Sequence, residues 1–365
     1  MRPEELLHST PQGLYSPAGD FFIDPTRPVA RALITHGHSD HARAGHGAVM
    51  ATRRTLDIMA IRYGEGFAGT TQAAAYGERL EVNGVGITFH PAGHILGSAQ
   101  IALDRQGCTI VASGDYKPGA DPTAEPFEPV PCHVFISEAT FGLPVFRHPD
   151  PAQETAKLTA SLALFPERAH LVGAYALGKA QRVMALLRAA GHERPILIHG
   201  AMERLTDYYR SEGIALGAVH LARDAAPAEL AGAVVICPPG AMTDLWSRRF
   251  PDPVTAFASG WMRIRARQNG VELPLIISDH ADWDDLQASI LATGCEELWV
   301  THGQEDALVH WAGLAGLRAR PLHMVGYGEE EAETTAAPDT AAPDTAAPDT
   351  AAPDTPAPES PETQP

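Results

Sequence analysis

The sequence predicts an α/β fold in which one domain is split by the insertion of another. Three observations carry that prediction. Short apolar runs recur through the first 113 residues, strand-like and helical stretches alternate from about 166 to 262, and a strand, helix, strand succession returns after residue 273.

Taken in order, Phe21-Phe22-Ile23-Asp24 and residues 31–35 read as strands separated by a Pro-containing turn. Runs at 85–90, 100–103 and 108–113 continue the series, and 153–164 has the length and spacing of a helix. Within the second stretch, 171–176, 195–199 and 234–237 are strand-like while 179–190 and 203–212 are helical. Such alternation marks an α/β unit around a mostly parallel sheet. From 273 a strand leads into His280, a helix spans 283–291, and a strand at 298–301 ends at His302. The expected boundaries are therefore 1–165 and 263–328 for the split domain, 166–262 for the insertion, and 329–365 for a tail. A chain of 365 residues exceeds the size at which one core usually keeps growing, which favours this division.

The formal net charge of −18 looks hostile to nucleic acid, but its distribution is uneven. From Glu329 onward there are ten acidic residues and no Lys or Arg, which leaves about −8 on the body. That tail holds four Ala-Ala-Pro-Asp-Thr repeats over 336–355 and almost nothing apolar, so it is expected to be disordered and extended. The polar start (Arg2, Glu4, Glu5) and the lack of an apolar run of about 18 residues predict a cytoplasmic protein with no membrane contact. Cys108, Cys132, Cys237 and Cys295 lie far apart without paired metal spacing, and are expected to be free buried thiols.

The chemistry is concentrated in His36-Gly37-His38-Ser39-Asp40-His41, directly after the apolar Ala32-Leu33-Ile34. In extended chain, residues two apart share a face, so His36 and His38 can approach one ion together. The polar turn that follows can swing Asp40 and His41 toward a second. Imidazole and carboxylate suit zinc, with manganese or iron as alternatives, and predict a metal-dependent hydrolase.

Asp24, the block His36 to His41, His94 in Pro-Ala-Gly-His-Ile-Leu-Gly-Ser-Ala and Asp115 in Ser-Gly-Asp-Tyr resemble the four signature motifs of the metallo-β-lactamase superfamily. Glu138 in Ser-Glu-Ala-Thr-Phe-Gly, His280 in Ser-Asp-His-Ala-Asp and His302 in Val-Thr-His-Gly resemble, in order, the three further motifs of its β-CASP nucleic-acid-processing branch. With Tyr-Ser-Pro-Ala-Gly-Asp-Phe at the start and Gly-Trp-Met-Arg later, the chain looks most like the bacterial ligase-associated DNA exonucleases, over residues 8–328.

That resemblance implies an αββα sandwich with an inserted β-CASP α/β domain. It implies two zinc ions, with manganese as the alternative: His36, His38 and His94 on one, Asp40, His41 and His302 on the other, Asp115 between them. Asp24 would orient a ligand imidazole without touching metal. Asp40, His280 and Glu138 would form the catalytic set, His280 delivering a proton and Glu138 orienting it. The implied activity is hydrolysis of DNA phosphodiesters from an end, in repair or end processing, on single-stranded DNA or DNA with a free end, with an ATP-dependent DNA ligase and a helicase as partners. RNA cleavage is the nearest alternative, since RNA-processing members of the branch keep the histidine matched by His302. A noncatalytic nucleic-acid scaffold would be favoured by a missing ligand, and none is missing.

Substrate contacts have their own candidates. In Trp261-Met262-Arg263-Ile264-Arg265-Ala266-Arg267, a strand would put Arg263, Arg265 and Arg267 on one face, a stripe able to follow a phosphate backbone. Lys179, one of three lysines, begins a predicted helix where it and exposed N–H groups could meet a phosphate. Arg53 and Arg54 read as ordinary surface residues.

Overall fold

The computed structural model describes residues 1–265 and 271–324. Arg267 and the acidic tail therefore lie outside the described residues. Two sheets pack face to face. The first runs β1 (His8–Thr10), β2 (Gly13–Ser16), β3 (Phe21–Ile23), β4 (Arg31–Leu33), β5 (His46–Thr52), β6 (Ala68–Ala74), antiparallel to β3 and parallel thereafter. The second contains β7 (Arg79–Val82), β8 (Val85–Pro91), β9 (Ala99–Arg105), β10 (Cys108–Ala112) and β11 (Val134–Ala139).

The pleat explains the layers. Along β10 and β11, Ile110, Ala112, Val134 and Ile136 join Phe21, Ile23 and Leu33 of the facing sheet in one buried cluster. Val111 and Phe135, one residue out of step, turn the other way onto Leu286 and Ile290 of the helix Trp283–Ala292 and Leu308 of Glu305–Leu314. On the first sheet the outward residues Ala32 and Val49 meet Leu56 and Met59 of the helix Arg53–Tyr63. The result is the expected αββα sandwich.

The third sheet contains β12 (His170–Gly173), β13 (Ile196–Ile198), β14 (Val219–Leu221), β15 (Val234–Cys237), β16 (Val254–Ala258) and β17 (Leu273–Leu275), all parallel in the order β14-β13-β15-β12-β16-β17. The chain then returns to the second sheet through β18 (Glu297–Gly303), parallel to β11, and β19 (Arg318–Pro321). Because β17 pairs with β16, the inserted unit extends past the expected boundary at 262. Its core also takes in Leu158 of the helix Pro151–Leu164, so it begins before 166. Strand pairing at one end and helix packing at the other, which a strand-and-helix alternation does not reveal, join these segments to the inserted unit.

Two further expectations are corrected. Met262–Arg265 is a helical turn, not a strand. Ser259 starts it by accepting the Trp261 N–H at 3.2 Å, and Arg265 N–H bonds the Trp261 carbonyl at 2.9 Å. Positions 263 and 265 on a helix point to different sides, so the arginine stripe does not form. The strand expected to run into His280 stops at Leu275, leaving His280 on a loop. The four cysteines are free, three of them buried and Cys132 half-buried.

The two domains are joined across a dry seam and by ions. Ile58, Ile95 and Leu96 of the sandwich share a cluster with Leu177 and Val183 of the inserted domain. Arg53 and Arg54 both reach Glu212, at 2.5 and 2.7 Å, so they are interdomain ties rather than idle surface residues. Arg182 pairs with Asp121, with side chains only 1% and 2% exposed. Removing one member leaves an uncompensated buried charge. Arg182→Leu is therefore expected to lower stability by about 3–5 kcal/mol, and Arg182→Leu with Asp121→Leu to recover most of it. Denaturant midpoints of the two variants check this; equal losses would show that the pair is net stabilising.

Candidate metal centre

The site grows from the loops that leave β3, β4, β10, β11 and β18 at one end of the sandwich. After β4, Thr35 is buried and the chain turns at His38, whose carbonyl accepts the Ala42 N–H at 2.7 Å. That turn folds His41 back beside His36, their rings 4.2 Å apart. His94, on the loop after β8, closes on both His36 and His38 with ring separations of 4.7 and 4.8 Å. Asp115 follows Gly114, whose φ of +57° and contact with Thr35, 2.7 Å from where a Cβ would sit, exclude a larger residue. Its Oδ2 stands 3.5 Å from His36 Nε2, 3.5 Å from His41 Nε2 and 3.8 Å from His94 Nε2. One ligand atom from each of His36, His38, His94 and Asp115 lies within 4.8 Å of the others.

On the far side of Asp115, His41 Nε2 is 3.7 Å from Asp40 Oδ2 and its ring stacks on His302 at 5.0 Å. His302 (φ 57°) and Asp24 (φ 44°) both hold left-handed backbone, a strained conformation that folded proteins keep where a side chain must be aimed. His41 thus has Asp40, Asp115 and His302 around its ring.

The outer ring nitrogens show which atoms are left for metal. His41 Nδ1 is held by Asp24 Oδ2 at 2.8 Å, and the same carboxylate accepts the Thr35 N–H and hydroxyl at 2.8 and 2.5 Å. Asp24 thus fixes the orientation of the His41 ring. His36 Nδ1 meets the Thr35 hydroxyl at 3.0 Å, and His94 Nδ1 donates to the Asp279 carbonyl at 2.9 Å. His38 is reversed: Nε2 reaches the Leu177 carbonyl at 3.3 Å, so Nδ1 faces His94 Nε2 at 3.0 Å. His36 Nε2 is buried with no hydrogen-bond partner among the described residues. An inward lone pair without a donor, amid imidazoles that burial holds well below their usual pKa, fits a divalent cation. Thr35, Asp279 and Leu177 were missed by sequence reasoning; only Thr35, between strand and ligand block, carried any signal.

Glu138 and His280 form the neighbouring pair. His280 Nδ1 lies 2.9 and 3.1 Å from the two Glu138 oxygens, and Glu138 Oε1 accepts the Tyr116 N–H at 2.8 Å. Glu138 sits where the β11–β18 register shifts, an irregularity that re-aims a strand side chain. Burial disfavours charge on His280, but Glu138, Asp115 and Asp279 outweigh it and raise its pKa to about 10. Its ring lies 4.5 Å from that of His94.

Lys179 does start a helix, Lys179–Ala189, but its ammonium is buried and paired with Asp279, which does not fit the exposed phosphate contact expected. Arg263 is exposed, and the Arg265 guanidinium lies 4.5 Å from the Trp261 ring centre. Trp261 packs on Phe141 at 5.1 Å, and Phe141 on His280 at 6.0 Å, so these arginines adjoin the site from one side.

One end of the sandwich thus carries a buried cluster of residues that could hold a metal ion. The curated proteins the chain resembles include nucleases of the β-CASP branch of the metallo-β-lactamase superfamily, consistent with the motifs in its sequence. It is 31% identical over 326 residues to a probable DNA ligase of Opitutus terrae, a match covering 84% of this chain and 30% of that one. It is 28% identical to Ribonuclease TTHA0252 of Thermus thermophilus over 48% of this chain and 46% of the relative, so it spans less than half the length of either. A solved protein of unknown function from Enterococcus faecalis shares the fold, with a TM-score of 0.50 and 13% identity over 75% of each chain. No protein-family model matches the sequence.

Proposed function

We propose that the chain is a metal-dependent DNA exonuclease that hydrolyses phosphodiester bonds from an end, with two zinc ions, or manganese, as cofactors. The observation that carries the hydrolytic reading is the His280–Glu138 pair set beside a ligand cluster whose donor atoms converge. When bound, the ions supply a nucleophile at neutral pH and neutralise charge growing on the phosphate. His36, His38, His94 and Asp115 would hold one ion, and Asp40, His41 and His302, with Asp115, would hold the other. Asp24, Thr35 and two backbone carbonyls keep His41, His36, His94 and His38 in the tautomers that offer their inner nitrogens. His280 passes a proton from Nε2 to the departing sugar oxygen, while Glu138 keeps Nδ1 occupied. Phe141 and Trp261 close one wall, and Arg263 and Arg265 add positive charge at its rim.

DNA is favoured because the match covering most of this chain is to a protein named a DNA ligase, whereas the ribonuclease match covers about half. A ligase, with an unwinding helicase upstream, is the partner class this reading implies. Metal-loaded protein given matched 5′- and 3′-labelled single-stranded DNA, duplex DNA and RNA tests it. Progressive shortening of DNA from one end is expected. Comparable cutting of circular single-stranded DNA would remove the end requirement, and faster loss of RNA would make this a ribonuclease.

A further inference from the structure

Of the three imidazoles in the set His36, His38, His94 and Asp115, two are held by carbonyls that the inserted domain supplies. His38 Nε2 meets the Leu177 carbonyl at 3.3 Å, and His94 Nδ1 the Asp279 carbonyl at 2.9 Å. Leu177 lies on the loop after β12 and Asp279 on the loop after β17, and because the third sheet is parallel both loops leave it at the same end. Strand β16 stands between β12 and β17, so no ladder hydrogen bond sets the distance from one loop to the other.

An ion pair ties them instead. The Lys179 ammonium, two residues beyond Leu177, contacts the Asp279 carboxylate, with side chains only 3% and 1% exposed. Asp279 thus offers its carbonyl to His94 and its carboxylate to Lys179. Between Leu177 and Lys179 the chain passes tightly against the His94 loop: Gly178 has a φ of +83°, and a Cβ there would lie 2.3 Å from Ile95 Cγ2. The Gly178 N–H is held by Gln181 Oε1 at 2.8 Å, and the Leu96 N–H donates to the Tyr209 hydroxyl at 3.3 Å.

Resting on the metal-site reading, we infer that Lys179 is a positioning residue: its pairing with Asp279 fixes the spacing of the Leu177 and Asp279 carbonyls, and through them the ring orientation and tautomer of His38 and His94. Docking of the inserted domain and metal binding by this set are thereby linked, each strengthening the other. Asp279 Oδ1 also lies 3.9 Å from His280 Nε2, and Asp279, His94 and His280 form a group that could itself hold an ion. Activity would mix these roles, so zinc affinity is the readout.

Zinc Kd is measured by competition with a chelator, and the stability of the metal-free protein by denaturant unfolding. Lys179→Met is expected to raise the Kd for one zinc ion about 10–100-fold, the usual effect of losing a group that orients a metal-bound imidazole. Lys179→Arg, which keeps the ion pair, should restore it. Arg182→Leu breaks a buried pair of the same interface that bonds to no ligand histidine among the described residues, so it should lower stability and leave zinc Kd at its wild-type value. Should Lys179→Met fail to fold, Lys179→Gln, which leaves Asp279 a neutral donor, takes its place with the same expected sign. A Lys179→Met protein that loses stability but not zinc, or an Arg182→Leu protein that loses zinc as readily, would overturn the positioning role. Zinc loss in Asp279→Asn but not in Lys179→Met would overturn it too, and make Asp279 a ligand. If the wild-type protein binds no zinc, the metal-site reading fails, and Lys179 is judged on metal-free protein by imidazole nitrogen NMR shifts. His94 should then carry its proton on Nδ1 and His38 on Nε2, both states being lost in Lys179→Met; unchanged shifts in the variant would overturn the inference.

Discussion

Asp115→Asn is expected to abolish hydrolysis while leaving the fold intact. Its Oδ2 is the atom common to His36, His41 and His94, so the substitution removes the negative charge between both ligand sets at once. In the metal-free protein the same change should cost little. Burial, with Glu138 adding to it, already pushes this carboxyl up to about 7 despite the opposing pull of His41. The readout is therefore double. Wild-type protein should gain thermal stability with added zinc, by about 4 kcal/mol when zinc exceeds its Kd a thousandfold, and the variant should gain far less. Full metal content with lost activity would show instead that Asp115 serves chemistry rather than metal binding.

His280→Ala should keep both metals and slow the cleavage step on DNA by about 10²–10⁴-fold, the usual range for a positioned acid. A deoxyribose alkoxide leaves poorly without a proton, whereas a nitrophenolate hardly needs one. The loss should accordingly shrink on a nitrophenyl phosphodiester. Single-turnover rates on both substrates, with metal measured on the same preparation, decide the matter. Equal losses would point to phosphate positioning, and a missing metal would place His280 among the ligands, where its proximity to Asp115 and His94 makes the check necessary.

Much of the site was legible because its residues are chemically distinctive and partly contiguous. His36, His38, Asp40 and His41 lie in six residues, and no other six-residue stretch of the chain holds three histidines. His94, Asp115, Glu138, His280 and His302 were found by the motifs around them, and the structure gathers all of them at one end of the sandwich. The errors have a common cause. At 261–267 arginines alternate with apolar residues over too few positions to separate a strand from a helical turn, and Ser259 settled it. At Lys179 the helix start was right, but the ammonium's partner, Asp279, is 100 residues away.

By itself the sequence determined the residue types able to bind metal, the alternation that makes an inserted α/β unit, and the period-two strands of the sandwich, because these depend on local pattern. Only the tertiary structure decided which nitrogen each histidine offers, since His38 is oriented by a carbonyl 139 residues away and His94 by one 185 residues away. It likewise decided that His280 meets Glu138 across 142 residues, and that Lys179 pairs with Asp279. Hydrogen bonds and charge pairing depend on distances set by packing, and no local pattern of residues encodes them.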